Sequence, residues 1–103
     1  MNSFGKAVGG GRRKAARRGS GLLISTISTL ESDYRVGLVN LSEAGAQLTA
    51  PELPEEGEEI ILWSDGIEAP GHIAWKKGAQ CGITFDSPMS SSDVDRLRKL
   101  AEI

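Results

Sequence analysis

Residues 21–49 read GLLISTISTLESDYRVGLVNLSEAGAQLT. Within Gly21–Leu30, Leu22, Ile24, Thr26 and Ser28 alternate with Leu23, Ser25, Ile27 and Thr29, and the β-branched content predicts a strand. Glu31-Ser-Asp33 reads as a turn. Tyr34–Leu41 reads as a second strand, with Val36 and Leu38 on one face and the pattern shifting at Val39 and Leu41. Ser42–Gly45 is the next turn and Ala46–Thr49 a short third strand.

The same rhythm continues downstream. Ala50–Gly57 carries Pro51 and Pro54 and reads as a loop. Glu58–Trp63 is a fourth strand, Ser64-Asp65-Gly66 a tight turn, and Ile67–Trp75 a fifth strand interrupted by Pro70, which predicts an edge or a bulge there. Lys76-Lys77-Gly78 is a turn and Gln80–Phe85 a sixth strand. Six short strands with no helix between them predict an all-β antiparallel barrel or sandwich. The tail differs. Ser92 with Asp95 resembles a capping box, and Val94, Leu97, Leu100 and Ala101 recur at helical spacing, so a short amphipathic helix closes the chain.

Composition narrows the function classes. At 103 residues the chain is sized for one domain. It lacks the run of about 18–20 apolar residues that a membrane span needs. There is no apolar stretch behind the basic N-terminus before Leu22, and Cys81 is the single cysteine, so the expectation is a cytoplasmic protein without disulfides. Residues 1–20 hold six basic side chains and no acid, whereas the remaining 83 hold six basic and fourteen acidic ones. A basic arm on an acidic body predicts an anionic ligand met by the arm, or an arm lying on its own body. Met1–Gly11, with Gly9-Gly10-Gly11, reads as a disordered lead-in.

Two short motifs can carry chemistry. Arg13-Lys-Ala-Ala-Arg17 sets two guanidiniums four residues apart, each a planar fork of donors that suits phosphate oxygens. Alone, such a run is most often a solvated arm or a weak RNA contact. Asn40-Leu-Ser42-Glu-Ala-Gly45 sets an amide, a hydroxyl and a glycine where a strand meets a turn. Asn40 offers a donor and an acceptor to a purine edge, Ser42 a second hydrogen bond, and Gly45 a residue free to take positive φ. Alone, that pattern simply closes a β-turn.

The remaining candidates point to no catalysis. His72 has no second ligand at metal spacing. Cys81 has no His–acid partner nearby in sequence. Glu55, Glu56, Glu58 and Glu59 read as a solvated charge run. Trp75 could stack on a base, but barrel packing is the ordinary role for it and for Trp63.

Both motifs in this order, followed by Gly71-His-Ile-Ala-Trp75, Cys81-Gly-Ile-Thr-Phe85 and a C-terminal helix, resemble the PilZ domain, the bacterial receptor module for cyclic di-GMP. The resemblance covers about Arg12 to Ile103, leaving residues 1–11 as the lead-in. It implies a six-stranded antiparallel β-barrel with a flexible basic N-terminal arm and a short C-terminal helix. It implies that Arg13 and Arg17 hold the phosphates and contact guanine, that Asn40 and Ser42 bind a guanine edge, and that Gly45 shapes the floor. Arg12, directly before the motif, implies an intercalated ligand dimer. Arg18 stands where the family often has Val, and is a possible extra phosphate contact, as Trp75 is a possible stacking platform. The function implied is a receptor rather than an enzyme, with cyclic di-GMP as ligand, no cofactor or metal, and a downstream protein in motility or exopolysaccharide (biofilm) signalling. Two other readings stay open: a small nucleic-acid-binding β-barrel, and a ligand-independent interaction module.

Overall fold

The computed structural model describes residues 23–103. Six strands, β1 (Leu23–Ser28), β2 (Asp33–Leu41), β3 (Gly45–Thr49), β4 (Glu59–Ser64), β5 (Ile67–Lys77) and β6 (Gln80–Phe85), precede one helix, α1 (Ser91–Ala101). All pairings are antiparallel, and the order β1-β2-β3-β6-β5-β4 closes on itself. Closure leaves no exposed sheet edge, which is the expected all-β barrel rather than a sandwich.

Strand alternation explains the core. Ile27, Val36, Leu38, Leu48, Leu62, Ile73 and Cys81 point inward and are fully buried. The interior also holds a polar pair, Ser25 and Ser64, whose hydroxyls satisfy each other at 2.8 Å. Burial pushes the Cys81 thiol's pKa up, against a smaller opposing pull from Lys76, so the thiol stays protonated and inert. Helix α1 packs on β1 and β2 and adds Val94, Leu97 and Ala101 to the core.

Several boundaries differ from the sequence reading. Residues 21–22 lie outside the described residues, and β1 ends at Ser28 because Thr29 starts a turn: its hydroxyl accepts from the N–H groups of Glu31 and Ser32. Leu30 is the apex of that turn and fully exposed. The fifth strand is not interrupted at Pro70 and runs on to Lys77, so the turn is Gly78-Ala79. Pro70 is tolerated because its carbonyl accepts from the Asp86 N–H at 2.9 Å. Its missing N–H would point the same way, past Phe85, where β6 has ended.

The helix starts earlier than expected. Ser90, not Ser92, is the N-cap, and its Oγ accepts from the Asp93 N–H at 3.2 Å. The serine–aspartate spacing is the one anticipated, displaced by two residues. Burial sets the register: Val94, Leu97 and Ala101 share the inner stripe, whereas Leu100, about 100° round from Ala101, is half exposed. Ser90→Ala is expected to cost about 1 kcal/mol, read as a lower melting temperature, whereas Ser92→Ala leaves it unchanged.

Candidate functional site

The hydrophobic parity of β2 changes between Leu38 and Leu41. The structure accounts for this with a β-bulge. Leu38 pairs with Leu48 but Asn40 with Gln47, so Val39 is the extra residue. A second bulge lies on β5, where Ile73 pairs with Ile83 but Trp75 with Gly82, making Ala74 the extra residue. A bulge reverses which face later side chains take. Without these two insertions Asn40 and Trp75 would point into the barrel; with them both stand outside.

The outcome is one transverse row across four strands: Asn40, Gln47, Gly82 and Trp75 are successive cross-strand neighbours. With Ser42, Gly45 and Thr84 beside it, the row lines a shallow outer concavity of about 350 Å³. Trp75 is 40% exposed and its indole lies over Gly82, where any Cβ would overlap the ring. Trp63 is 42% exposed on another wall, so neither tryptophan is the core side chain expected of it. For Trp63 simple alternation with the buried Leu62 and Ser64 is the reason; for Trp75 it is the bulge.

The turn holding the second motif is anchored from outside. Ser42 donates its N–H to the Gly45 carbonyl (2.9 Å), while the carbonyls of Glu43 and Ala44 accept from Met89 (2.8 Å) and Phe85 (2.9 Å). Asn40 uses its Oδ1 on the Leu41 N–H at 2.9 Å, which leaves its NH₂ group turned outward. Its two N–H donors and the second lone pair of Oδ1 remain for a ligand. The Ser42 hydroxyl reaches only the Gly45 carbonyl, at 3.4 Å, and is exposed. Gly45 is glycine for a reason other than positive φ, which it does not have: a Cβ there would strike the Ile83 carbonyl oxygen of β6. It sets how closely β3 and β6 approach under the concavity.

Gln47, Gly82 and Thr84 belong to this wall and carried no signal as a motif. Only strand pairing brings them to Asn40 and Trp75. Gln47 is itself held by a side-chain bond to Gln80 (3.2 Å). The wall has no charged side chain among its described residues. Arg12, Arg13, Arg17 and Arg18 lie outside the described residues, as do residues 1–11. The chain enters the barrel at Leu23, which pairs with Leu38, two residues before Asn40. His72 stands outside between Glu59 and Thr84, and the described residues contain no group of three metal-capable side chains. Of the acidic run, Glu55 forms an ion pair with Lys76 at 2.8 Å, which raises the Lys76 pKa, and Glu58 accepts from the Glu55 N–H.

The structure is a closed six-stranded antiparallel β-barrel with one packed helix and a shallow concavity on its outer wall. The PilZ domain profile matches residues 12–102, and the chain belongs to the PilZ domain family. PilZ domains are, as a family, cyclic di-GMP-binding modules rather than enzymes. Comparison with curated proteins and with solved structures yields no match. No helix among the described residues is long and apolar enough to cross a membrane.

Proposed function

We propose that this protein is a cyclic di-GMP receptor that passes the signal to a second protein. The observation that carries the reading is the outward row Asn40–Gln47–Gly82–Trp75. It supplies hydrogen-bonding and stacking groups suited to a guanine but no cation for a phosphate. The Asn40 NH₂ group suits the acceptor atoms O6 and N7 of guanine, and the exposed indole of Trp75 suits its flat face. Ser42 adds an adaptable hydrogen bond, and Gly45 keeps the floor low.

The ligand's two phosphates then require cations from elsewhere. Arg13 and Arg17, with Arg12 and Arg18 beside them, supply these from the segment that leads into β1. Each charge-assisted bond is worth about 1.5–3 kcal/mol, set against about 1–2 kcal/mol per residue for ordering that segment. Binding is therefore modest and salt-sensitive, which fits a signalling receptor. In this mechanism the ligand orders the basic segment on the barrel, neutralises it and changes the surface that a partner in motility or exopolysaccharide control reads. In this reading Arg12, directly before the motif, favours two ligands per chain.

Calorimetric titration with cyclic di-GMP, with GTP as control, tests this. The expected result is saturable heat for cyclic di-GMP alone, at two equivalents. A flat trace from folded protein would refute the receptor reading and leave the interaction-module and nucleic-acid readings.

A further inference from the structure

Gln47 stands midway along the outer row, paired with Asn40 on one side and with Gly82 on the other. Its strand neighbours Ala46 and Leu48 are buried, so its own side chain faces the concavity. Asn40 and the Gly82 position covered by the indole are two interstrand steps apart, about 10 Å. A base that stacks on Trp75 and reaches Asn40 therefore passes over Gln47. Neither of the two sequence motifs includes this residue.

We propose that Gln47 is a specificity-determining residue of this wall: its side-chain carbonyl accepts from the N1–H and N2–H₂ edge of guanine and excludes adenine. The assignment deepens the receptor reading and rests on it. Polarity carries it. The hydroxyls of Ser42 and Thr84 rotate to donate or accept, so they favour neither base. The indole N–H of Trp75 lies in the plane of its ring and cannot meet an atom stacked on that ring's face. The two amides differ from these. Asn40 turns its Oδ1 to the Leu41 N–H and its NH₂ group outward. Gln47 donates its Nε2 to Gln80 Oε1 at 3.2 Å, which leaves its own Oε1 as an unspent acceptor.

Side by side, the two amides offer a donor and then an acceptor. Guanine presents the complement along one edge, O6 as acceptor followed by N1–H and N2–H₂ as donors. Adenine presents the reverse, N6–H₂ as donor followed by N1 as acceptor, so each amide would meet its like. The mismatch is costly because a polar group left unpaired beneath a stacked base has also lost its water. Gln80 acts through Gln47 as a positioning residue, since it sets which end of the amide is free.

Calorimetry of the full chain with cyclic di-GMP and with cyclic di-AMP reads the ratio of the two affinities. The phosphate contribution cancels in that ratio, because both ligands carry the same phosphates. The wild type is expected to prefer cyclic di-GMP by at least about 100-fold. Gln47→Leu should reduce the ratio at least about tenfold while melting as the wild type does. Gln80→Glu, ionised and acceptor-only, should keep the ratio, because Gln47 must still donate to it. Gln80→Lys, donor-only, should lower it, because the Gln47 carbonyl then turns to the ammonium. The proposal is overturned by a wild type that binds both ligands alike, by an unchanged ratio in Gln47→Leu, or by a Gln80→Lys ratio equal to or above that of Gln80→Glu. Absence of cyclic di-GMP binding to the folded wild type would instead refute the receptor reading itself, and this assignment with it.

Discussion

A chain in which both Arg13 and Arg17 are alanine is expected to lose cyclic di-GMP binding by roughly 10²–10⁴-fold, while melting at the wild-type temperature. The size of the loss follows from two charge-assisted guanidinium–phosphate interactions at about 1.5–3 kcal/mol each. No substitute is at hand on the wall itself, since Asn40, Ser42, Gln47, Trp75 and Thr84 are all uncharged. Stability is expected to be spared because Arg13 and Arg17 are charged side chains in a basic run, of a type rarely buried unpaired, while the core among the described residues runs from Ile27 to Ala101. Calorimetry on wild type, the two single variants and the double variant checks this, with scanning calorimetry as the folding control. Arg13→Lys/Arg17→Lys separates charge from geometry: lysine keeps the charge but cannot present a bidentate fork, so only part of the affinity returns. The wild type should also lose affinity as salt rises, and the alanine pair should show little of that slope. Affinity within about threefold of wild type in the double variant would mean that the phosphates are not held by this segment.

How much of this could be read from the sequence depends on which residues carry it. The strands were legible because they are short runs rich in β-branched residues, with Ile27, Val36 and Ile73 set between polar or small neighbours, and the turns because Asp, Ser and Gly punctuate them. The bulge on β2 was visible too: Leu38 and Leu41 are an odd number of residues apart, yet both are buried, so the parity must break between them. The bulge on β5 left no such trace. The inward residue after Ala74 is Lys76, whose ammonium emerges from the barrel end to meet Glu55 and the Leu53 carbonyl. Its charge hides its inward direction, and Pro70 drew the irregularity to the wrong place. For the same reason Trp75 read as a core side chain. The helix cap slipped because Ser90, Ser91 and Ser92 are equivalent as local signals, and only burial of Val94, Leu97 and Ala101 chooses among them.

The candidate site divides along the same line. Asn40, Ser42 and Gly45 are contiguous in sequence and form a recognisable pattern. Gln47, Gly82 and Thr84 acquire meaning only through the pairing of β3 with β2 and β6 and of β6 with β5. No local rule marks a glutamine in a strand as the neighbour of an asparagine seven residues earlier. The pairing register does so, and the register is a property of the closed barrel.

Gly82→Ala tests that assembled part of the wall most directly. The new Cβ would overlap the indole of Trp75, and the backbone of β6 is fixed by its neighbours β3 and β5, so the ring must be the group that moves. Trp75 is 40% exposed and can swing into solvent at little cost, so the melting temperature should hold to within a few degrees. Affinity should not. A base stacked on an aromatic ring gains about 1–3 kcal/mol, and losing the platform weakens cyclic di-GMP binding by roughly 5–150-fold. Trp75→Ala should cost the same. The decisive measurement is the double variant: if Gly82 acts only by seating the indole, Gly82→Ala adds nothing once Trp75 is gone, and the coupling energy equals the single-variant loss. Fluorescence gives an independent readout. In a Trp63→Phe background Trp75 is the only tryptophan, excited selectively over Tyr34, and Gly82→Ala should shift its emission to the red as the ring leaves the strand surface. Additive losses in the cycle would mean that Gly82 acts on binding other than through the indole, whereas a displaced ring without loss of affinity would mean that Trp75 is not a stacking platform and that guanine recognition rests on Asn40 and Ser42.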